Sequence, residues 1–216
     1  MTAPSLVAAG DSAALLRLGD TIDPAINARA LRIAALVRER GPAGVRDVVV
    51  GYASVTVFFD PLQAERGEVE QILRRAEREA GGDTRVTPRR VTIPVTYGGD
   101  AGPDLPEVAR FANLSEDAAV ALHAGREYRV FMLGFLPGFP YMGLVDERIA
   151  MPRRDAPRLV VPAGSVGVAG RQTGVYPLKS PGGWRLIGRT DTVMFDASRE
   201  TPAFLQAGDL VRFVRS

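Results

Sequence analysis

Apolar residues recur at helical spacing in two well-marked stretches of the first half of the chain. Ile26, Ala30, Ile33, Ala34 and Val37 fall on one face of a helix that Asp23-Pro24 opens, with Asp at the cap and Pro at the first helical position. Gly41-Pro42 stops it. Val69, Ile72, Leu73 and Ala76 mark a second amphipathic helix over residues 68–80, ended by Gly81-Gly82. Around these helices lie β-rich runs at residues 13–18, 45–50, 54–59 and 89–97. Gly51-Tyr52-Ala53 separates the second and third runs, which predicts an antiparallel pair, and Pro94 places the last run at a sheet edge or a crossing between domains. Strand, helix, two strands, helix, strand is the order of a split βαβ unit. Residues 1–92 are therefore expected to form a ferredoxin-like βαββαβ domain.

Beyond residue 92 the punctuation changes. Asp104-Leu105-Pro106 leads a short helix that ends near Asn113, and Ser115-Glu116-Asp117 caps another that runs to His123. After a strand at residues 127–133, glycine and proline make up 17 of residues 134–190, about twice their density in residues 1–92. Short β-rich pieces at 160–161, 166–169, 174–176, 184–188, 193–195 and 209–214 then predict a barrel or sandwich for residues 93–216. The expected fold class is α+β, in two domains.

Composition narrows the chemistry. The chain has 46% hydrophobic and 24% charged residues, an ordinary globular balance. It has no cysteine, which excludes disulfides, thiolate nucleophiles, iron–sulfur clusters and cysteine zinc sites. One histidine, His123, leaves no multi-histidine metal centre, and no metal site is expected. Lys179, the only lysine, follows Tyr176-Pro177-Leu178 and lacks the preceding glycine of a phosphate-binding P-loop. A formal charge of +2 without a run of five like charges argues against a nucleic-acid partner. Apolar stretches are short and broken by Gly or Pro, and Met1-Thr2-Ala3-Pro4 does not open a leader pattern. The expectation is a cytoplasmic protein that neither spans nor binds a membrane.

Candidate chemistry is densest where the glycines are. Glycine lets backbone approach a ligand and frees amides to point inward, though the same glycines also serve simply as turns between barrel strands. Arg171 can hold a carboxylate in a bidentate fork, and Gln172 offers both donor and acceptor to an amide. His123 is either a base matched to neutral pH or a cap on the last carbonyls of its helix. These three are the candidate catalytic residues. Gly164, Ser165, Thr173, Tyr176, Lys179, Ser180 and Arg189 are the candidates for holding a small-molecule substrate. Ser165 sits in Ala163-Gly164-Ser165-Val166-Gly167, which lacks the first glycine of a Gly-x-Ser-x-Gly elbow, so it reads as a hydrogen-bonding serine rather than a nucleophile. Phe135, Phe139, Tyr141 and Trp184 are pocket lining, interface anchors or core.

Four stretches carry a further signal. They are Gly-Phe-Leu-Pro-Gly-Phe-Pro-Tyr at 134–141, Pro-Arg-Arg at 152–154, Val-Pro-Ala-Gly-Ser-Val-Gly-Val-Ala-Gly-Arg-Gln-Thr-Gly-Val-Tyr-Pro at 161–177, and Ser-Pro-Gly-Gly-Trp-Arg-Leu-Ile-Gly-Arg-Thr at 180–190. Their content and order closely resemble the family that includes the B component of bacterial 5-oxoprolinase, the kinase inhibitor KipI and allophanate hydrolase subunit 1. The resemblance implies a cyclophilin-like β-barrel for the C-terminal half. It also implies two partner proteins of 5-oxoprolinase. One is the C component, a paired domain fused or co-assembled in many relatives, and the other is the A component. The three together open the 5-oxoproline lactam to glutamate with ATP. ATP is then used by the complex, and no cofactor is expected on this chain, which shows no nucleotide motif and should be inactive alone. Two other family readings stand beside this one: inhibition of a sensor histidine kinase, and a carboxyltransferase-type partner related to urea carboxylase and allophanate metabolism.

Overall fold

The computed structural model describes residues 3–81 and 88–216 and separates the chain into two compact units, one up to Thr87 and the other from Pro88. In the first unit, β1 (Ser5–Ala8), β2 (Ala13–Arg17), β3 (Val45–Val50) and β4 (Ser54–Phe59) form an antiparallel sheet in the order β1-β2-β4-β3. Helices α1 (Pro24–Arg40) and α2 (Arg66–Glu79) cover one face. Asp23 caps α1, its carboxylate accepting from the amides of Ala25 at 2.7 Å and Ile26 at 3.1 Å, and the Gly41 amide closes the other end on the Val37 carbonyl. The expected apolar stripe is what packs: Ala30, Ile33, Ala34 and Val37 are fully buried against Leu16, Val55, Val57, Val69 and Leu73. A reciprocal capping box between Glu65 and Glu68 starts α2 two residues before the expected position.

The run expected to complete this sheet goes elsewhere. It forms β5 (Arg90–Tyr97), which belongs to the second unit and pairs in parallel with β13 (Leu210–Arg215). Residues 88–92 go with it, so the expected boundary after residue 92 falls inside this strand. The sheet edge beside β2 is taken instead by β1, which carries too little periodicity to announce itself. The strand–helix–strand–strand–helix order survives, while the fourth strand enters from the N-terminal side. The physical reason is burial: Ile93 and Val95 are fully buried in the core of the second unit.

That unit is a closed barrel in the order β10-β7-β6-β13-β5-β12-β9. It uses β6 (Glu127–Leu133), β7 (Pro140–Gly143), β9 (Ser165–Ala169), β10 (Gln172–Val175) and β12 (Arg185–Arg189) besides β5 and β13. Helices α3 (Leu105–Phe111) and α4 (Glu116–Ala124) add Leu105, Val108, Ala119 and Val120 to the barrel core. A separate ribbon pairs β8 (Arg158–Val161) with β11 (Ser180–Gly182). The strand expected at 193–195 is reduced to a single bridge between Phe195 and Ala203. Among the described residues no helix is long and apolar enough to cross a membrane.

Candidate functional site

The two chemistries expected of one site occupy opposite sides of the barrel wall. Ser115 caps α4 through its hydroxyl, and the last turn of the helix delivers His123 into the barrel interior, where it is fully buried. The Thr173 hydroxyl donates to the Gly167 carbonyl at 3.0 Å, so its single proton is committed. His123 Nε2 lies 2.8 Å from that Thr173 oxygen and must donate to it, and Nδ1 accepts from the Tyr97 hydroxyl at 2.8 Å. The ring stacks on Phe213 at 4.8 Å, and Tyr128 donates to the His123 carbonyl at 2.7 Å. Burial depresses the imidazole to about 3 and raises the Tyr97 and Tyr128 hydroxyls above their ordinary value. This is a neutral, doubly bonded core histidine that fastens α4 to β5 and β10. A general base needs a free lone pair within reach of substrate, and His123 has neither the lone pair nor the access.

The outer side of the same hairpin is built by missing side chains. In β9 and β10, Val166, Val168, Thr173 and Val175 face the interior, which turns Gly167 and Gly174 outward, directly opposite each other across the strands. A Cβ on Gly174 would stand 2.7 Å from the Pro140 carbonyl, 3.0 Å from the Phe139 ring and 3.1 Å from the Trp184 ring, and one on Gly167 would stand 3.1 Å from Trp184 Cβ. The paired glycines are thus a bare backbone floor under an aromatic layer. Phe139 stands at its centre, edge-on to Tyr141 at 5.0 Å, Tyr176 at 5.1 Å and Trp184 at 5.3 Å. Gly182 passes so close over Tyr176 that a Cβ there would meet the hydroxyl at 2.4 Å.

Arginines gather beside this layer. Asp104, at the start of α3 and almost fully buried, takes Arg158 in a fork at 2.7 and 2.8 Å, Arg154 at 3.2 Å and the Leu186 amide at 2.7 Å. Arg185 pairs with Glu107 at 2.7 Å. Arg153 instead lies over the Trp184 ring, 6.0 Å from its centroid.

Comparison with known proteins fits this barrel and its signature stretches. Residues 4–205 match the family model described as carboxyltransferase domain, subdomain C and D. The chain belongs to that family. It is 42% identical to the 5-oxoprolinase B component of Bacillus subtilis (strain 168), over 95% of this chain and 90% of the relative. It is 43% identical to the 5-oxoprolinase B component of Escherichia coli O157:H7, over 95% of this chain and 93% of the relative. The crystal structure of TTHA0988 superposes with a TM-score of 0.84 at 41% identity, covering 94% of this chain but only 39% of that longer one.

The carboxyltransferase-family signature therefore describes one barrel wall, and it disperses the expected site residues. Arg171 and Gln172 sit at the β9–β10 turn, where Arg171 is ion-paired with Glu147 at 3.0 Å. Gly164, Ser165, Tyr176 and Arg189 lie at the other end of the hairpin, about 16 Å away at strand rise. Gly164, at φ 79°, lies so close to the Thr190 carbonyl that a Cβ would overlap it, Ser165 is buried, and Arg189 Nε donates to the Ala163 carbonyl at 3.1 Å. Thr173 faces the interior with His123, Tyr176 is buried in the aromatic layer, Ser180 is buried on the ribbon, and Lys179 is exposed. The ten candidates thus do not converge on one point. Asp104, Arg153 and Arg158 were missed. The Pro-Arg-Arg stretch at 152–154 is the visible signal of Arg153, whereas Arg158 lies outside it and Asp104 has none beyond its helix-cap position. A groove of about 510 Å³ between α3 and α4, lined by Arg110, Asn113, Ser115 and Glu116 among others, holds none of the ten.

Proposed function

We propose that this chain is the B component of an ATP-dependent 5-oxoprolinase, acting with the A and C components to open 5-oxoproline to glutamate. One observation carries this reading: 42% and 43% identity to proteins of that name across nearly the whole of both partners, with the signature stretches intact. The chemistry supports a division of labour. Water attacks an unstrained lactam slowly, and phosphorylation of the amide oxygen from ATP makes a better electrophile. The sequence carries no nucleotide loop, so ATP is handled elsewhere in the complex. This chain contributes its barrel to the complex, and it is inactive alone. The test is ATP-dependent release of glutamate from 5-oxoproline by the purified A and C components, with and without this chain. Release that requires it is expected, and equal release without it overturns the reading.

A further inference from the structure

Arg153 has a fixed place and no ion-pair partner. The backbone is pinned on both sides of it: Arg185 Nε donates to the Pro152 carbonyl at 3.2 Å, and the Arg154 N–H donates to the Gly183 carbonyl at 2.8 Å. Its guanidinium lies over Trp184, a ring only 4% exposed, while Arg153 itself is exposed. The nearby acids are already engaged. A carboxylate has about four acceptor positions, and Asp104 fills them with two bonds from Arg158, one from Arg154 and one from the Leu186 amide. Glu107 holds Arg185. Asp155 is close in sequence, yet among the described residues no carboxylate pairs with Arg153. Burial raises the Tyr176 hydroxyl above its ordinary value, while the Trp184 amide, which donates to it, and the charges of Arg153 and Arg158 pull the other way. Both cations therefore stand near this hydroxyl. One buried aspartate serves two arginines, and a third cation beside them is left without an ion pair.

We propose that Arg153 is the gripping residue of a carboxylate site, whose ligand is a small molecule with a single carboxylate as its charge. The guanidinium is planar and presents paired N–H donors that match a carboxylate in a two-bond fork. Its orientation is set before the ligand arrives, by the pinned backbone and the ring beneath, so little ordering cost is left for binding. The Arg154–Arg158–Asp104 cluster adds net positive charge beside it. Arg158 cannot offer the fork itself, because both its terminal nitrogens are on Asp104. The proposal deepens, and rests on, the reading of the chain as a 5-oxoprolinase B component. At neutral pH the only charge on 5-oxoproline is its carboxylate. A lactam held by that group keeps its amide carbonyl free for phosphorylation and for water. The Pro-Arg-Arg stretch then has a division of roles: Arg154 staples the segment to the start of α3, and Arg153 meets the ligand.

Trp184 is the only tryptophan and lies under Arg153, so its fluorescence reports occupancy, and calorimetry gives the affinity. The purified chain is titrated with 5-oxoproline, with the uncharged amide of 5-oxoproline and with inorganic phosphate. Saturable binding of 5-oxoproline alone is expected. Arg153→Gln, which loses a charge-assisted fork, should weaken it at least about tenfold. Arg153→Lys, which keeps the charge without the fork, should weaken it less. Arg17→Gln, at an exposed position in the first unit, should bind as the wild type does. Unchanged denaturation midpoints show that the variants are folded. No saturable binding, equal binding of the amide, preference for phosphate, or an Arg153→Gln chain that binds like the wild type would each overturn the site. Binding that Arg153→Gln removes, with no glutamate released by the assembled components, would uphold the site and overturn the proposed activity. Glutamate release at an unaltered KM in Arg153→Gln would overturn the site and uphold the activity.

Discussion

The two faces of the β9–β10 hairpin are held by opposite means. Inside, Val166, Val168 and Val175 fill the barrel, and a continuous chain of hydrogen bonds from Tyr97 through His123 and Thr173 to Gly167 satisfies every polar atom it buries. Outside, Gly167 and Gly174 fill nothing, and Phe139 and Trp184 supply the volume from other segments. The interior tolerates polar atoms because each has a partner. The exterior is filled by rings, and its glycines are steric requirements rather than a cradle. One strand pair can thus be a core wall and a platform at once, at the cost of being buried on both faces.

The largest effect should come from removing the outer layer's anchor. Trp184→Ala is expected to cost about 3–5 kcal/mol, read as a shift in the denaturation midpoint, because it empties a buried site beside two glycines that cannot refill it. The inner face should break with acid. Unfolded His123 takes a proton below about 6.5, whereas the folded ring resists until about 3, so between those values the unfolded state holds the extra proton. Stability should therefore fall as pH drops through that window, by at most about 1.4 kcal/mol per unit. His123→Gln, whatever its own cost, should remove that component of the slope in urea titrations run at several pH values. Smaller again is Gly174→Ala, at about 1–3 kcal/mol, with loss of near-ultraviolet dichroism as Phe139 and Trp184 are displaced. Alanine at Gly170, a hairpin-turn position at φ 54° with open space around it, should cost only left-handed strain of about 1–2 kcal/mol and leave the dichroism intact; loss of the dichroism there too would dissolve the distinction between platform and turn. The smallest effect is Arg171→Ala, which removes an exposed pair with Glu147 and should change stability by less than about 1 kcal/mol.

How much of this could be seen in advance depended on whether an element has one wet face. Helix α1 does, and its cap, stop and buried stripe stood where expected. Strand β5 alternates just as well, but alternation names a buried face without naming the sheet that covers it, so its partner was misassigned. Strand β9 is buried at all five positions, and a strand with two dry faces has no alternation to show which glycines point where. The site residues suffered most. Arg171 and Tyr176 are five positions apart in a motif, and only the extended geometry of the hairpin reveals that this puts them at opposite ends. His123 was singled out for its rarity, but rarity says nothing of burial.

One feature of the barrel bears on how the protein is made. Leu210–Arg215 lies between β5 and β6, and Arg89 finds Asp209 across 120 positions. The described strands and helices of the first unit are complete once residue 79 has left the ribosome, whereas the barrel cannot close until residue 215 follows. At ordinary elongation rates that leaves an interval on the order of ten seconds. In its last part, once residue 184 has emerged, the valines of β9 and the aromatic layer are made but have no complete wall to cover. Nascent chains arrested in that interval should be the form of this protein that chaperones hold and that aggregates first.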